Sequence, residues 1–151
     1  MGSQKSTKSA SETKKFAADF AKKVFQTVPS LEGALVIGLE GNLGSGKTTF
    51  TQGFAKGLEI KEKILSPTFV IFKKYKIQDT KYKIRAFYHV DCYRLKKPQE
   101  LLELGFKEII GDPKNIVVIE WVERVKKILP KNSIQIKFIA TGKNQRLIKL
   151  K

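Results

Sequence analysis

The feature that most constrains the fold of this chain is a glycine-rich segment, Gly41-Asn42-Leu43-Gly44-Ser45-Gly46-Lys47-Thr48. It matches the pattern G-x-x-x-x-G-K-[S/T], in which glycines let consecutive backbone N–H groups point inward around phosphates. The apolar run Ala34–Leu39 precedes it, and Phe50, Phe54 and Leu58 follow at helical spacing. A strand, a glycine loop and a helix in this order are the context that a phosphate-binding loop (P-loop) requires. The segment therefore predicts nucleotide binding.

Two side chains of the P-loop have predicted roles of their own. Lys47 is expected to reach the β- and γ-phosphates of a nucleotide, and the Thr48 hydroxyl is expected to bind Mg²⁺. The loop amides lie at the positive end of the following helix, which favours an anion there. The predicted nucleotide contacts in this segment are Gly41, Asn42, Leu43, Gly44, Ser45, Gly46, Lys47, Thr48 and Thr49.

Nucleotide hydrolysis also needs an acid near Mg²⁺, usually at the end of a strand beside the loop. Glu120 directly follows the apolar run Ile116–Ile119, and Asp91 directly follows Ala86–Val90. Either residue could instead be an ordinary solvated acid at a strand end. The residues alone leave open which of the two contacts Mg²⁺ directly.

Four further features of the sequence are less specific. The segment Ser66–Phe69 and His89 each have two interpretations, Trp121 has one, and Cys92 has no assigned role. In Ser66-Pro67-Thr68-Phe69 a rigid proline lies between two hydroxyls, which suits a switch-like loop that senses a γ-phosphate or a simple turn before a strand. His89 is a candidate general base or a hydrogen-bonded core residue. Trp121 is interpreted as a packing residue at a strand end, and Cys92 has no His or Cys at ligand spacing and is assigned no role.

The remaining patterns predict an α/β chain with two β-hairpins. Ser9 and Glu12 form a capping box that begins an amphipathic helix extending to about Thr27. Hairpins are predicted where residues 69–77 return as 82–90, and where residues 134–138 return as 147–150. Pro98 suits the first turn of a helix and Gly105 suits its C-terminal end. Residues 1–8 are predicted to be a disordered tail and residues 9–151 a single P-loop ATPase domain.

The composition excludes several classes of protein. One cysteine allows no internal disulfide, and no apolar run approaches the roughly 18 residues of a membrane span, so a cytoplasmic protein with no membrane contact is expected. The net charge of +16 favours contact with nucleic acid. However, 26 of the 30 cations are lysines and only four are arginines, whereas the bidentate recognition of bases and phosphates relies on arginine.

Four motifs together give a resemblance to a known family. Gly41–Thr49, Ser66-Pro67-Thr68-Phe69, His89-Val90-Asp91-Cys92-Tyr93-Arg94-Leu95 and Ile119-Glu120-Trp121 resemble the bacterial TsaE (YjeE) family in order and in approximate spacing, over residues 11–150. That family serves threonylcarbamoyladenosine modification of tRNA. Val122 follows Trp121 where many members have proline.

The resemblance implies a P-loop NTPase-like three-layer fold, a mixed β-sheet flanked by helices. It implies a weak ATPase that uses ATP and Mg²⁺ and is stimulated by the TsaB and TsaD proteins, and it leaves open a weak or indirect contact with tRNA. By this resemblance Lys47 and Asp91 are catalytic, Asp91 as the catalytic or metal-side acid, and Thr48 and Glu120 attend Mg²⁺. Ser66, Pro67 and Thr68 form a switch-like segment, and Thr13 on the first helix matches a family threonine near the nucleotide.

Two other functions remain as alternatives. A small-molecule P-loop kinase generally needs a lid with several arginines around the transferred phosphoryl group, and the four arginines here show no such spacing. A nucleotide-dependent RNA-binding module without turnover suits the lysine–aromatic alternation of Phe72-Lys73-Lys74-Tyr75. It does not explain the pair of acids, Asp91 and Glu120.

Overall fold

The computed structural model describes residues 3–27, 32–67, 70–78 and 83–151, and for residues 25–27 only the backbone. Its elements in chain order are β1 (Ser3–Thr7), α1 (Ala10–Thr27), β2 (Leu35–Glu40), α2 (Lys47–Gly57), β3 (Phe72–Lys76), β4 (Ala86–Asp91), α3 (Pro98–Leu102), α4 (Phe106–Gly111), β5 (Asn115–Glu120), two short 3₁₀ turns (Val122–Arg124 and Lys126–Ile128), β6 (Ile134–Gly142) and β7 (Gln145–Leu150). The strands form one seven-stranded sheet in the order β1-β7-β6-β2-β5-β4-β3.

The centre of the sheet is parallel and its margins are antiparallel. Strand β2 pairs in parallel with both β5 and β6, and β5 pairs in parallel with β4. Strands β3–β4, β6–β7 and β1–β7 pair in antiparallel fashion. The mixed sheet and both hairpins are therefore confirmed, although residues 79–82, part of the predicted turn and return of the first hairpin, lie outside the described part of the chain.

Helices cover both faces of the sheet, which confirms the three-layer prediction. On one face α1 and α2 pack on a core that includes Phe50, Phe54 and Phe138, with the rings of Phe50 and Phe138 5.4 Å apart. The other face is covered by a second core in which Leu101 of α3 and Phe106 of α4 are fully buried. Burying large aromatic and aliphatic side chains on both faces is the main favourable term for such a fold.

Helices α1 and α2 approach each other unusually closely because α2 carries two glycines on the contact face. A Cβ on Gly53 would lie 2.3 Å from the carbonyl oxygen of Lys14, and one on Gly57 would lie 2.5 Å from that of Ala18. Both distances are well inside van der Waals contact, so these positions require glycine for close packing. This contact fixes α2, and with it the loop that precedes α2.

The prediction of a disordered tail over residues 1–8 is wrong for residues 3–7. These residues form β1, which pairs with β7 from Ser3 opposite Leu150 to Thr7 opposite Arg146. This strand can be polar because its pairing with the edge of β7 is made by the backbone, and only Thr7 is buried. One of the two hydrogen bonds of the predicted capping box is confirmed, since the Glu12 N–H donates to Ser9 Oγ at 3.1 Å. The Glu12 carboxylate accepts the N–H of Lys8, one residue before the predicted N-cap, Ser9.

The segment after Pro98 differs from the prediction in one element. Helix α3 begins at Pro98 as expected, and Gly105 adopts the left-handed conformation expected near a helix end, with φ 85°. The same glycine is also the N-cap of a second short helix, α4, which the sequence patterns did not reveal. In the described part of the chain, no helix has the length and apolar character to cross a membrane.

Candidate nucleotide-binding site

The P-loop, residues 41–46, connects the end of β2 to the start of α2. Gly46 has φ 104°, a left-handed conformation that L side chains rarely adopt, and it turns the chain directly into the first residue of the helix, Lys47. The first N–H groups of a helix have no intrahelical acceptor, so they are available to an anion at this end. A cavity of about 290 Å³ lies here, and Leu43 to Thr49 form one side of it.

Lys47 lies inside this cavity with only 4% of its surface exposed. Its ammonium group donates hydrogen bonds to the carbonyl oxygens of Gly41 and Asn42, the latter at 3.1 Å, and lies 3.9 Å from the centre of a ring of Trp121. Burial lowers the pKa of Lys47, and the charges of nearby carboxylates, including Glu120, offset part of that shift. The site therefore holds a desolvated cation that a phosphate would stabilise.

Thr48 connects the P-loop to the end of β5. Its hydroxyl donates to both carboxylate oxygens of Glu120, at 2.8 and 3.0 Å. Glu120 is almost fully buried, and its Oε2 lies 2.5 Å from Nε2 of His89, which is completely buried on β4. His89 is thus a core residue that contacts an acid of the site, while its Nδ1 has no hydrogen-bond partner among the described residues.

Asp91 lies beside Glu120 because β4 and β5 are parallel and in register at their carboxyl ends. Its Oδ1 accepts the backbone N–H of Tyr93 at 2.9 Å, and its Oδ2 accepts the hydroxyl of Ser66 at 3.1 Å. Both acids contribute to the wall of the cavity, together with Ser66. The placement of these two acids at neighbouring strand ends agrees with the prediction from their sequence positions.

Not every predicted site residue comes to the cavity. Thr13 is buried on α1, where its hydroxyl lies 2.7 Å from that of Thr7, and it is not among the described residues that line the cavity. Its contact with a nucleotide stays a prediction; in the structure Thr13 links α1 to β1. Pro67 is buried next to Ser66, and Thr68 lies outside the described residues.

Three residues at the cavity were missed as site residues by the sequence reasoning. Trp121 has a left-handed backbone, with φ 59°, and its ring lies 5.0 Å from that of Tyr93. Both line the cavity, as does Arg146 from β7. Trp121 follows Glu120 directly and Tyr93 lies two residues after Asp91, and this closeness to the acids is a signal that could have found them. Arg146 is about 100 positions from the P-loop, and only the strand order brings it there.

Cys92 has no place in this chemistry. It is completely buried in the core that also contains Leu101 and Phe106, and burial raises the pKa of its thiol to about 12. Such a thiol stays protonated and unreactive at neutral pH. Within the described residues, no group of three or more His, Cys, Asp or Glu side chains could hold a metal ion by protein ligands alone.

Comparisons with known proteins agree on one family. Residues 7–148 match the family model described as "Threonylcarbamoyl adenosine biosynthesis protein TsaE". The tRNA threonylcarbamoyladenosine biosynthesis protein TsaE of Bacillus subtilis is 38% identical over 113 residues, which are 75% of this chain and 66% of that protein. The protein of the same name from Rickettsia typhi is 35% identical over 144 residues, 95% of this chain and 90% of that protein.

A solved structure extends this agreement to the fold. The crystal structure of Bacillus subtilis YdiB superposes with a TM-score of 0.75 at 30% sequence identity, and the match covers 99% of this chain and 84% of that chain. The similarity therefore includes the sheet, the helices on both faces and the P-loop.

Proposed function

This chain belongs to the TsaE family of threonylcarbamoyl adenosine biosynthesis proteins, and on that basis we propose that it is an ATP-binding and ATP-hydrolysing accessory subunit for this modification of tRNA. The observation that carries the proposal is the convergence of a buried lysine, a P-loop threonine and two strand-end acids on one cavity at the start of α2. This is the set of groups that phosphoryl chemistry on a P-loop requires.

In this proposal the P-loop holds the phosphates of ATP with backbone N–H groups and with Lys47. The ammonium of Lys47 contacts the carbonyl oxygens of Gly41 and Asn42, and it would exchange those contacts for the β- and γ-phosphate oxygens. Pairing a desolvated cation with phosphate is favourable because the low-dielectric site strengthens the attraction.

The residues around Thr48 fit a bound Mg²⁺. The Thr48 hydroxyl and the Glu120 carboxylate already touch, so both offer oxygen to one point beside the phosphates. A site with few protein ligands suits Mg²⁺, which usually keeps several waters and takes further oxygens from phosphates. When bound, Mg²⁺ would neutralise charge on the phosphate oxygens. His89 supports this arrangement because its hydrogen bond to Glu120 Oε2 orients that carboxylate.

Asp91 is the proposed catalytic carboxylate of the site, acting as the general base that accepts the proton of the water that attacks the γ-phosphate. Its carboxylate is fixed by the Tyr93 N–H and by Ser66, so its orientation is defined before ATP binds. Ser66 begins the proposed switch-like segment Ser66–Thr68. Because the Ser66 hydroxyl donates a hydrogen bond to Asp91, a movement of this segment would change the orientation of the Asp91 carboxylate directly.

Site-directed variants test this assignment. Lys47→Ala should abolish ATP binding in isothermal titration calorimetry, whereas Lys107→Ala, an exposed lysine on α4, should leave it unchanged. Asp91→Ala and Glu120→Ala should reduce phosphate release by about 100-fold or more while ADP still binds; Glu103→Ala is the exposed-acid control. Normal ATP affinity in Lys47→Ala would refute the P-loop role, and normal turnover in both acid variants would refute the roles of the acids.

The proposed partners are the TsaB and TsaD proteins, as the family resemblance implies. Slow hydrolysis by the chain alone should accelerate when both partners are added, since Leu43 and Tyr93 at the cavity and Leu65 beside the switch-like segment are exposed and available to a partner. ATPase rates measured with and without TsaB and TsaD test this directly. Indifference to both partners would contradict the proposal that this chain works with them.

A contact with tRNA is supported by a second, larger groove of about 1250 Å³, whose lining does not include Asp91 or Glu120. Its lining includes two acids, Glu59 and Glu62, and six exposed lysines: Lys14, Lys56, Lys61, Lys63, Lys74 and Lys76. Such an excess of cations fits the phosphate backbone of RNA, whose binding weakens steeply with salt. This groove would supplement the nucleotide site and does not replace it.

Charge neutralisation tests the groove. Replacing Lys61, Lys63, Lys74 and Lys76 with glutamine should weaken tRNA binding, and removing each lysine–phosphate pair should reduce the slope of log affinity against log salt by about 0.7 to 0.9. The control replaces four exposed lysines outside the groove, Lys107, Lys114, Lys127 and Lys131. Unchanged tRNA binding together with weaker binding of an acidic partner protein would assign the groove to protein contact.

A further inference from the structure

The backbone at Ile71 has a conformation that a β-branched residue rarely adopts. Its φ is 66°, in the left-handed region, where the branched Cβ crowds the backbone. The N–H of Phe72 donates to the carbonyl oxygen of Val70 at 2.7 Å and closes a three-residue turn around Ile71. With a positive φ at its centre, this is the rare and strained form of the γ-turn. Such strain persists only where the surrounding structure imposes it, and it is concentrated at functional sites.

Two neighbouring parts of the fold impose this turn. The side chain of Ile71 is half-buried and packs against the core that contains Leu101 and Phe106. The next residue, Phe72, begins β3, and the pairing of β3 with β4 places it opposite Val90. The turn is therefore held by a packed side chain and by the sheet, and a smaller side chain at position 71 would remove the first of these restraints.

The turn brings the carbonyl group of Ile71 to Asp91, the proposed catalytic carboxylate. The Ile71 carbonyl oxygen accepts the backbone N–H of Asp91 at 2.7 Å. The following amide, the N–H of Cys92, donates to the carbonyl oxygen of Glu120 at 3.0 Å, so the backbone of Asp91 is held on two sides. The Ser66 hydroxyl also donates to the Asp91 side chain. The chain is therefore attached to Asp91 both where the switch-like segment begins and at the turn that precedes β3.

We infer that Ile71 is a positioning residue for the reaction. Its strained turn sets the place of the Asp91 backbone, and with it the carboxylate that accepts the proton of the attacking water. The inference rests on the proposed function, in which Asp91 is the general base, and adds a residue to it. Ile71 is not among the described residues that line the 290 Å³ cavity, so it acts through Asp91. A general base must lie within hydrogen-bond reach of the proton that it takes, and a small displacement of Asp91 therefore lowers the rate without changing how the P-loop holds phosphates.

Alanine and glycine at position 71 separate the effect of the backbone from that of the side chain. Both variants lose the apolar side chain, but glycine adopts a positive φ without strain and alanine does not. Ile71→Gly should therefore melt about 2–4 °C above Ile71→Ala in thermal unfolding followed by circular dichroism. The matched control is the same pair of variants at Phe72, a strand residue packed against the same core, where the glycine variant should melt below the alanine variant.

Turnover should follow the backbone conformation and not the size of the side chain. Ile71→Gly keeps the turn, so its kcat for ATP hydrolysis should stay within about threefold of wild type. Ile71→Ala loses the packing that imposes the strained turn, so the backbone relaxes and kcat should fall about tenfold. ADP affinity, measured by isothermal titration calorimetry, should stay within about twofold of wild type in both variants because the P-loop is unchanged.

Each other result would overturn the inference. If Ile71→Gly melts at or below Ile71→Ala, the strained turn is absent. If the two variants have equal turnover, the turn is structural and does not position Asp91. If ADP affinity falls together with turnover, the substitutions act on the nucleotide site as a whole. If the wild-type chain does not hydrolyse ATP, the proposed function itself fails, whereas the melting temperatures still report on the turn, so the two failures are distinguishable.

Discussion

The close approach of α1 and α2 gives a prediction whose size follows from distances in the structure. In Gly53→Ala the new methyl group would lie 2.3 Å from Lys14 O and 2.5 Å from Lys14 Cα, and ordinary contacts begin near 3.4 Å. The two helices would therefore have to separate by about 1 Å, a displacement that weakens each affected packing interaction by about a quarter to a half. We take about 3 kcal/mol for this overpacking.

A gain in helix propensity of about 1 kcal/mol offsets part of that loss, so the net destabilisation is about 2 kcal/mol. For a chain of this size it corresponds to a decrease in melting temperature of about 4–8 °C. Thermal unfolding followed by circular dichroism measures it. The matched control is Gly111→Ala at the end of α4, where a Cβ would have no neighbour within 4 Å, and where the melting temperature should stay equal or rise slightly. A melting temperature for Gly53→Ala within about 1 °C of wild type would refute the close approach, because even 1 kcal/mol should shift it by about 2–4 °C.

Three further predictions concern the cavity. The chain contains one tryptophan, and the centre of its ring lies 3.9 Å from the Lys47 ammonium, so ADP binding should change the intrinsic fluorescence of Trp121. This change should be absent in Lys47→Met. An equal change in that variant would refute the role of the Lys47–Trp121 contact. Burial lowers the pKa of Lys47 from 10.5, and phosphate favours its protonated form, so ADP affinity should be full below that lowered pKa and fall as pH rises through it. A calorimetric pH series checks this, and an ADP affinity that stays constant up to pH 10.5 would refute the role of the Lys47 charge in binding. His89→Phe removes the ring nitrogen that lies 2.5 Å from Glu120 and should reduce ATP turnover about 10–100-fold, while ADP affinity stays within about twofold of wild type. His89→Gln keeps a hydrogen-bond donor and should recover part of the rate. An equal loss of turnover in both variants would mean that His89 only packs in the core.

The parts of the fold that could be predicted from sequence are those where local pattern and burial agree. Strands β2 and β5 are buried on both faces, so they appear in the sequence as continuous apolar runs. The P-loop is set by its own glycines and by the helix that follows it. For the same reason Lys47, Thr48 and Glu120 could be placed before the structure: each lies at a defined position in or directly after a strongly patterned element.

What sequence reasoning missed depends on pairing between distant segments. Strand β1 is polar, with four of its five residues exposed, and it exists because the edge of β7 offers hydrogen-bond partners. Arg146 reaches Gly44 only because β7 and β6 lie between β1 and β2 in the sheet. Nothing within a local window of sequence marks such contacts, since they depend on the order of strands and not on their composition.

The net charge is a second property of the sequence that does not locate the site. A total of +16 favours an anionic ligand without saying where it binds, and most of the described lysines are exposed on the surface. At the cavity, the proposed function involves instead one buried lysine, Lys47, near the carboxylates of Asp91 and Glu120. A cation there attracts an anion strongly because it is desolvated and close to the loop amides. An exposed lysine attracts an anion more weakly because it is hydrated and screened by salt. Burial and position therefore identify the candidate functional charges of this chain, whereas the number of charges in the sequence does not.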